Sequence, residues 1–168
     1  GYAFEEDSRP GEFYPEKASE TGVPRGPLWG RLQSGSTVTL EDGRLITPDQ
    51  VMGPPRGGRK VCYVTDTAWK DSIAGEVASS DLLVCEAMFG DDLADSAREK
   101  RHLTARQAGR IAAEAGGVRR MGLIHYSPRY TDRELKVLRK ECRDHFPDAF
   151  LCRDRMVIPL PHPGEAED

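Results

Sequence analysis

Lys60-Val61-Cys62-Tyr63-Val64-Thr65-Asp66 is a run of β-branched and aromatic residues closed by a carboxylate, and the chain repeats that pattern twice. Lys60 to Thr65 reads as a strand. Trp69 to Val77 reads as a helix, and Asp81-Leu82-Leu83-Val84-Cys85 as a second strand, followed at once by Glu86. Ala105, Ala108, Ile111, Ala112 and Ala115 recur at helical spacing, so Thr104 to Ala115 reads as a second helix closed by Gly116-Gly117. Met121-Gly122-Leu123-Ile124-His125 is a third strand. A helix follows from Arg133 to about His145 on Leu135, Val137, Leu138 and Cys142, and Met156-Val157-Ile158-Pro159-Leu160 offers a last strand. Strands alternating with helices predict an α/β architecture with helices packed on a sheet. In such sheets ligands sit at the carboxyl ends of the strands.

Upstream of Arg59 the composition changes. Arg9-Pro10-Gly11, Val23-Pro24-Arg25-Gly26-Pro27 and Gly53-Pro54-Pro55-Arg56-Gly57-Gly58 break any long element and predict a loop-dominated excursion. Within it, Thr37–Leu40 and Arg44–Thr47 flank Glu41-Asp42-Gly43, an Asp-Gly hairpin signal. The chain therefore divides at 1–58 and 59–168. It starts without Met, and Tyr2-Ala3-Phe4 reads as a strand already under way, so a fragment is expected.

With 38% apolar and 31% charged residues in 168, the chain belongs with globular proteins. No apolar run approaches the ~18 residues of a membrane span, and the start carries no signal-type stretch, so no membrane partner and a cytoplasmic location are expected. A net charge of −4 argues against a generally basic nucleic-acid binder. The excess at Arg98, Lys100, Arg101, Arg106, Arg110, Arg119 and Arg120 reads equally as a local basic patch or a solvated helix face, offset by the tail Glu165-Ala166-Glu167-Asp168. Cys62, Cys85, Cys142 and Cys152 form no C-x-x-C pair and read as free thiols in apolar surroundings.

Asp66, Glu86 and His125 each follow an apolar strand. Any one of them alone is an ordinary cap or turn former; three on successive strands put a carboxylate, a second carboxylate and an imidazole on one rim. His102, just before the second helix, is a candidate for proton handling at that rim. His125-Tyr126-Ser127-Pro128-Arg129-Tyr130 adds a hydroxyl, a guanidinium and an aromatic ring. Neutral imidazole suits zinc and arginine suits a phosphate, a combination that points to phosphoester hydrolysis.

These strings, in this order, resemble the ribonuclease Z family of metallo-β-lactamase-fold nucleases. Thr65-Asp66-Thr67 resembles its Gly-Asp-Thr, Cys85-Glu86-Ala87-Met88-Phe89 its His-Glu-Ala-Thr loop, and His102-Leu103-Thr104-Ala105 its His-Ser-Thr loop. His125 to Tyr130 is similar to its His-x-Ser-x-Arg-Tyr, and Gly22–Leu28 and Val38–Arg44 also resemble the bacterial enzymes. The resemblance runs from Gly1 to about Leu160 and implies roughly the carboxyl-terminal half of an αββα sandwich. It implies a zinc-dependent endoribonuclease that removes the 3′ trailer from precursor tRNA, with two zinc ions in the complete enzyme and a homodimeric state. Asp66 and His125 would then bind metal, while Glu86, His102 and Arg129 would be catalytic, and Ser127 and Tyr130 would face substrate. A tRNA-gripping arm would fall at about residues 8 to 34, with Arg9, Lys17, Arg25 and Arg31 as phosphate contacts.

Departures from the family pattern are Thr65 for glycine, Cys85 for histidine, Met88 for threonine and Leu103 for serine. The family's His-x-His-x-Asp-His cluster is absent from a sequence whose histidines are His102, His125, His145 and His162. Alone, the chain is expected to be inactive. Two alternatives stand beside the nuclease: a phosphodiesterase of the same fold acting on a small substrate, and a non-catalytic half-domain that binds RNA or a protein partner.

Overall fold

The computed structural model describes residues 1–162, so the acidic tail Glu165–Asp168 lies outside the described residues. Two compact units emerge: Gly1–Glu5 together with the chain from Arg59 onward, and Glu6–Gly58. The first begins with β1 (Tyr2–Glu5). The second holds α1 (Pro15–Glu20), α2 (Pro27–Gln33), β2 (Val38–Thr39), β3 (Leu45–Ile46) and α3 (Pro48–Val51). From Arg59 follow β4 (Lys60–Val64), α4 (Ser72–Val77), β5 (Leu82–Glu86), α5 (Ala94–Lys100), α6 (Ala105–Ala115), β6 (Met121–Ile124), α7 (Asp132–Arg143) and β7 (Ala149–Leu151).

In the larger unit the strands form one sheet in the order β1-β4-β5-β6-β7. β4, β5, β6 and β7 run parallel, so their carboxyl ends share one edge, and β1 pairs antiparallel with β4. Side chains alternate across the sheet, and Cys62, Val64, Leu83, Cys85, Met121 and Leu123 share one face and are buried there. Against them pack Ala105, Ala108, Ile111 and Ala112 of α6 with Leu138 and Cys142 of α7. Both helices begin with a reciprocal cap, Thr104 with Gln107 and Thr131 with Glu134. The Thr131 hydroxyl and backbone N–H hold the Glu134 carboxyl below its ordinary range. Gly109 lets α7 approach closely, since a Cβ there would lie 2.4 Å from the Cys142 carbonyl oxygen. The register Tyr2↔Tyr63 and Phe4↔Val61 puts those side chains on the opposite face, where Tyr2 and Phe4 are 69% and 62% exposed.

The Glu6–Gly58 unit corrects the expectation of a loop-dominated excursion. It has its own core of Ala18, Val23, Leu32, Val38, Ile46 and Val51. Pro15, Pro27 and Pro48 stand in the first turns of α1, α2 and α3, where a missing N–H costs nothing and the fixed φ favours the helix. The hairpin is where the Asp-Gly signal put it, with Gly43 at φ 85 and Leu40 N–H bonded to the Arg44 carbonyl.

Two further expectations fail. The strand expected at Met156–Leu160 is not formed; Val157 is 84% exposed, and Ala149–Leu151 pairs with β6 instead. The carbonyls of Pro159 and Leu160 accept hydrogen bonds from the Arg120 and Arg59 side chains. The first helix starts at Ser72 rather than Trp69, whose indole N–H donates to Asp71. Within the Arg98–Arg120 stretch the charges are largely spent locally: Arg98 pairs with Asp95, Arg106 with Asp91, Arg110 with Glu114 and Arg119 with Asp81. That is the solvated-face reading. Among the described residues no helix is long and apolar enough to cross a membrane.

Candidate active site

Three chain segments meet at the carboxyl edge of β4, β5 and β6, and Glu86 ties two of them to β5. This carboxylate, the last residue of β5, is fully buried. Its Oε1 accepts the Thr67 N–H at 2.5 Å, from the turn after β4. Its Oε2 accepts the Leu103 N–H at 3.3 Å and lies 3.0 Å from His102 Nδ1, both in the loop before α6. Facing a carboxylate, that nitrogen carries its proton, which fixes the ring's tautomer and leaves Nε2 as the other functional atom. A buried carboxylate is tolerable because its acceptor capacity is met from several directions.

The rest of the β5 loop continues the pairing. Ala87 N–H donates to the Ile124 carbonyl, Ser127 N–H to Met88 and Ala105 N–H to Phe89. The loop is thereby held between the segment after β6 and the segment before α6. His102 is set by the end of α5, where Arg101 takes a left-handed conformation, φ 60, and turns His102 N–H back onto the Ala97 carbonyl.

Asp66 and His125 both have left-handed backbone, φ 49 and 58. Such conformations cost about 1–2 kcal/mol for an L-residue and, outside glycine, favour Asp, Asn and His. Strain at two strand ends on one rim is a site-like feature. The departure at Thr65 is harmless here, since the positive φ falls on the next residue. Asp66 Oδ1 lies 3.6 Å from His125 Nε2 and 3.8 Å from His102 Nδ1. The two imidazoles stand 5.3 Å apart, centroid to centroid. Asp66, His102 and His125 each offer a ligand atom within 4.8 Å of the others, a group able to hold a metal ion. The sequence reading gave His102 a proton-handling role at this rim, and its ring lies within reach of Asp66 and His125.

His125 Nδ1 is buried without a hydrogen-bond partner among the described residues, 3.8 Å from Glu86 Oε2. One oxygen and two nitrogens are a fitting donor set for zinc. They suffice for one ion with open positions and fall short of a pair.

Arg129 is exposed, and its Nε donates to Ser127 Oγ at 3.1 Å with the guanidinium 5.4 Å from the Phe89 ring centre. The Tyr130 hydroxyl oxygen accepts Gly90 N–H at 2.8 Å, so that ring braces the β5 loop. Arg25 and Arg31 lie in the Glu6–Gly58 unit, Arg25 stacked 5.5 Å from the Trp29 ring and Arg31 in the last turn of α2. Cys85, at the family's histidine position, points into the core, where burial pushes its thiol far up, and Leu103 is buried beside it. Neither faces the rim chemistry. All four cysteines are free.

A mostly parallel sheet with a carboxylate and an imidazole at its strand ends, and a second imidazole from the loop before α6, defines an α/β protein with a candidate metal centre. Residues 37–126 match the beta-lactamase superfamily domain, and the chain belongs to that family. Ribonuclease Z of Treponema denticola is 54% identical over 160 residues, 95% of this chain and 52% of that protein. Ribonuclease Z of Halorubrum lacusprofundi is 44% identical over 168 residues, 99% of this chain and 54% of that one. The chain spans about half the length of the curated relatives it matches. Among solved structures, the short form of human tRNase Z aligns with a TM-score of 0.48 at 26% identity, over 70% of this chain and 37% of that one.

Proposed function

We propose that the chain supplies part of a zinc-dependent endoribonuclease that removes the 3′ trailer from tRNA precursors. The observation that carries this reading is the convergence of Asp66, His102 and His125 within ligand distance of one another around the buried Glu86. The names of its relatives supply the substrate class.

In this reading Asp66 and His125 hold metal. Bound zinc would polarise the scissile phosphate and provide hydroxide at neutral pH. Glu86 orients His102, whose Nε2 delivers the proton to the departing oxygen. Arg129, steadied by the Ser127 hydroxyl, neutralises phosphate charge, and Tyr130 keeps the β5 loop in place. Arg25 and Arg31, in an arm at about residues 8 to 34, contact tRNA phosphates. The complete enzyme works as a cytoplasmic homodimer with two zinc ions.

The test is a chimera in which this chain replaces the matching part of the Treponema denticola enzyme. The chimera is expected to cleave precursor tRNA and Asp66→Asn to abolish cleavage; a folded chimera that is inactive, or one indifferent to Asp66→Asn, sinks the reading. The 168-residue chain alone is expected to bind zinc weakly and cleave nothing. Cleavage by it, abolished by Asp66→Ala, would show its ligand set to be sufficient after all.

A further inference from the structure

The cleft between α7 and the turn after β7 is not used by the chemistry above. Its volume is about 960 Å³, and Tyr126, the residue after His125, lines it. Lys136 and Arg139 of α7 line it with Arg153 and Arg155, together with the apolar Leu135 and Phe150. The turn at 153–156 is closed by Met156 N–H on the Arg153 carbonyl, with Arg155 at φ 61.

Four cations meet two carboxylates here, Asp132 and Asp154. Asp132 stands in the first turn of α7, where the helix dipole already compensates it. Among the described residues none of the four cations forms an ion pair, in contrast to the paired arginines around α5 and α6. Arg139 is half-buried as well. A guanidinium partly withdrawn from water without a counter-charge gains most from an anion brought from outside.

We propose that this cleft is a track for the phosphodiester backbone of a single RNA strand running past His125. The RNA class rests on the nuclease reading; the track itself rests on charge and on the lining position of Tyr126, the residue after His125. Unpaired cations set among apolar side chains follow a backbone without reading its sequence.

The test uses the full chain in chelator-containing buffer, so that binding is read without cleavage. Anisotropy of a short labelled single-stranded RNA is followed across a salt series. Lys136→Ala/Arg139→Ala/Arg153→Ala is expected to lower the salt slope by about 2 and to weaken binding roughly a hundredfold at about 0.1 M salt. Lys136→Ala/Arg153→Ala, which touches only exposed side chains, should lose roughly twentyfold and guards against a folding defect at Arg139. Lys140→Ala, also on α7 but outside the cleft, should bind like the parent. Equal binding by all variants overturns the track and leaves the nuclease reading to the chimera. Equal or tighter binding of polyglutamate than of RNA overturns RNA as the occupant.

Discussion

Replacing Glu86 by Gln should separate scaffold from ligand. The carboxylate takes Thr67 N–H on one oxygen, and Leu103 N–H and His102 Nδ1–H on the other. An amide has one oxygen, so either Thr67 N–H or the His102–Leu103 pair must face an NH₂ group. Hydrogen bonds to a charged group contribute about 1.5–3 kcal/mol, and a buried donor left unmet costs about 1–3 kcal/mol, partly the same energy counted twice. Glu86→Gln should therefore destabilise by about 2–4 kcal/mol, and Glu86→Ala by about 3–5 kcal/mol. Asp66→Asn is the contrast. Asp66 is 69% exposed, and Asn tolerates its positive φ, so stability should change by no more than about 0.5 kcal/mol while zinc affinity falls. Glu86→Gln should also weaken zinc binding, by about ten- to a hundredfold, through the loss of the Thr67 anchor beside Asp66 and of the carboxylate 3.8 Å from His125 Nδ1. Urea unfolding followed by far-ultraviolet circular dichroism, with zinc titrated calorimetrically, measures both. An unchanged urea midpoint for Glu86→Gln, or an equal loss of stability for Asp66→Asn, would refute the picture of a buried anchor beneath an exposed ligand.

Gly109→Ala, ordinarily worth about 1 kcal/mol of extra helix stability, should instead destabilise, because the added methyl meets the Cys142 carbonyl at 2.4 Å; a rise in Tm would show that α6 and α7 can part freely. Glu134 reports on acid stability: its folded pKa is depressed, so the Thr131 cap contributes fully above the unfolded carboxyl value and is lost as pH falls through the folded one. Unfolding midpoints of Glu134→Gln and the parent should accordingly converge toward acid, and a constant gap would speak against the cap. Alkylation of the native chain should reach Cys152 first, because burial raises all four thiols but only Cys152 is partly exposed, while Cys62, Cys85 and Cys142 are buried; peptide mapping that finds Cys85 modified first would overturn this order.

What could be read from the sequence followed the distance over which each determinant acts. Lys60–Val64, Leu82–Glu86 and Met121–Ile124 carry their instruction in short apolar runs, and the polar residue at each end is therefore legible as a rim position. Ala149–Leu151 is too short to alternate, and only pairing with β6 makes it a strand, while the longer apolar run at Met156–Leu160 has no strand beside it. α5 buries only Ala97 among seven residues and so has no periodic signal to read. Pro27 misled because a proline breaks a helix interior and starts a helix equally well, as Pro15 and Pro48 also do here. The same division runs through the site. Asp66, His102 and His125 could be named from their residue types, but the donors that hold Glu86 are backbone N–H groups of Thr67 and Leu103, which every residue but proline possesses. Residue type thus names the candidate site residues, whereas their spacing is set by main-chain groups that only the folded rim brings to one carboxylate. That is why a change at Glu86 should disturb metal binding more broadly than its distance from any ligand atom would suggest.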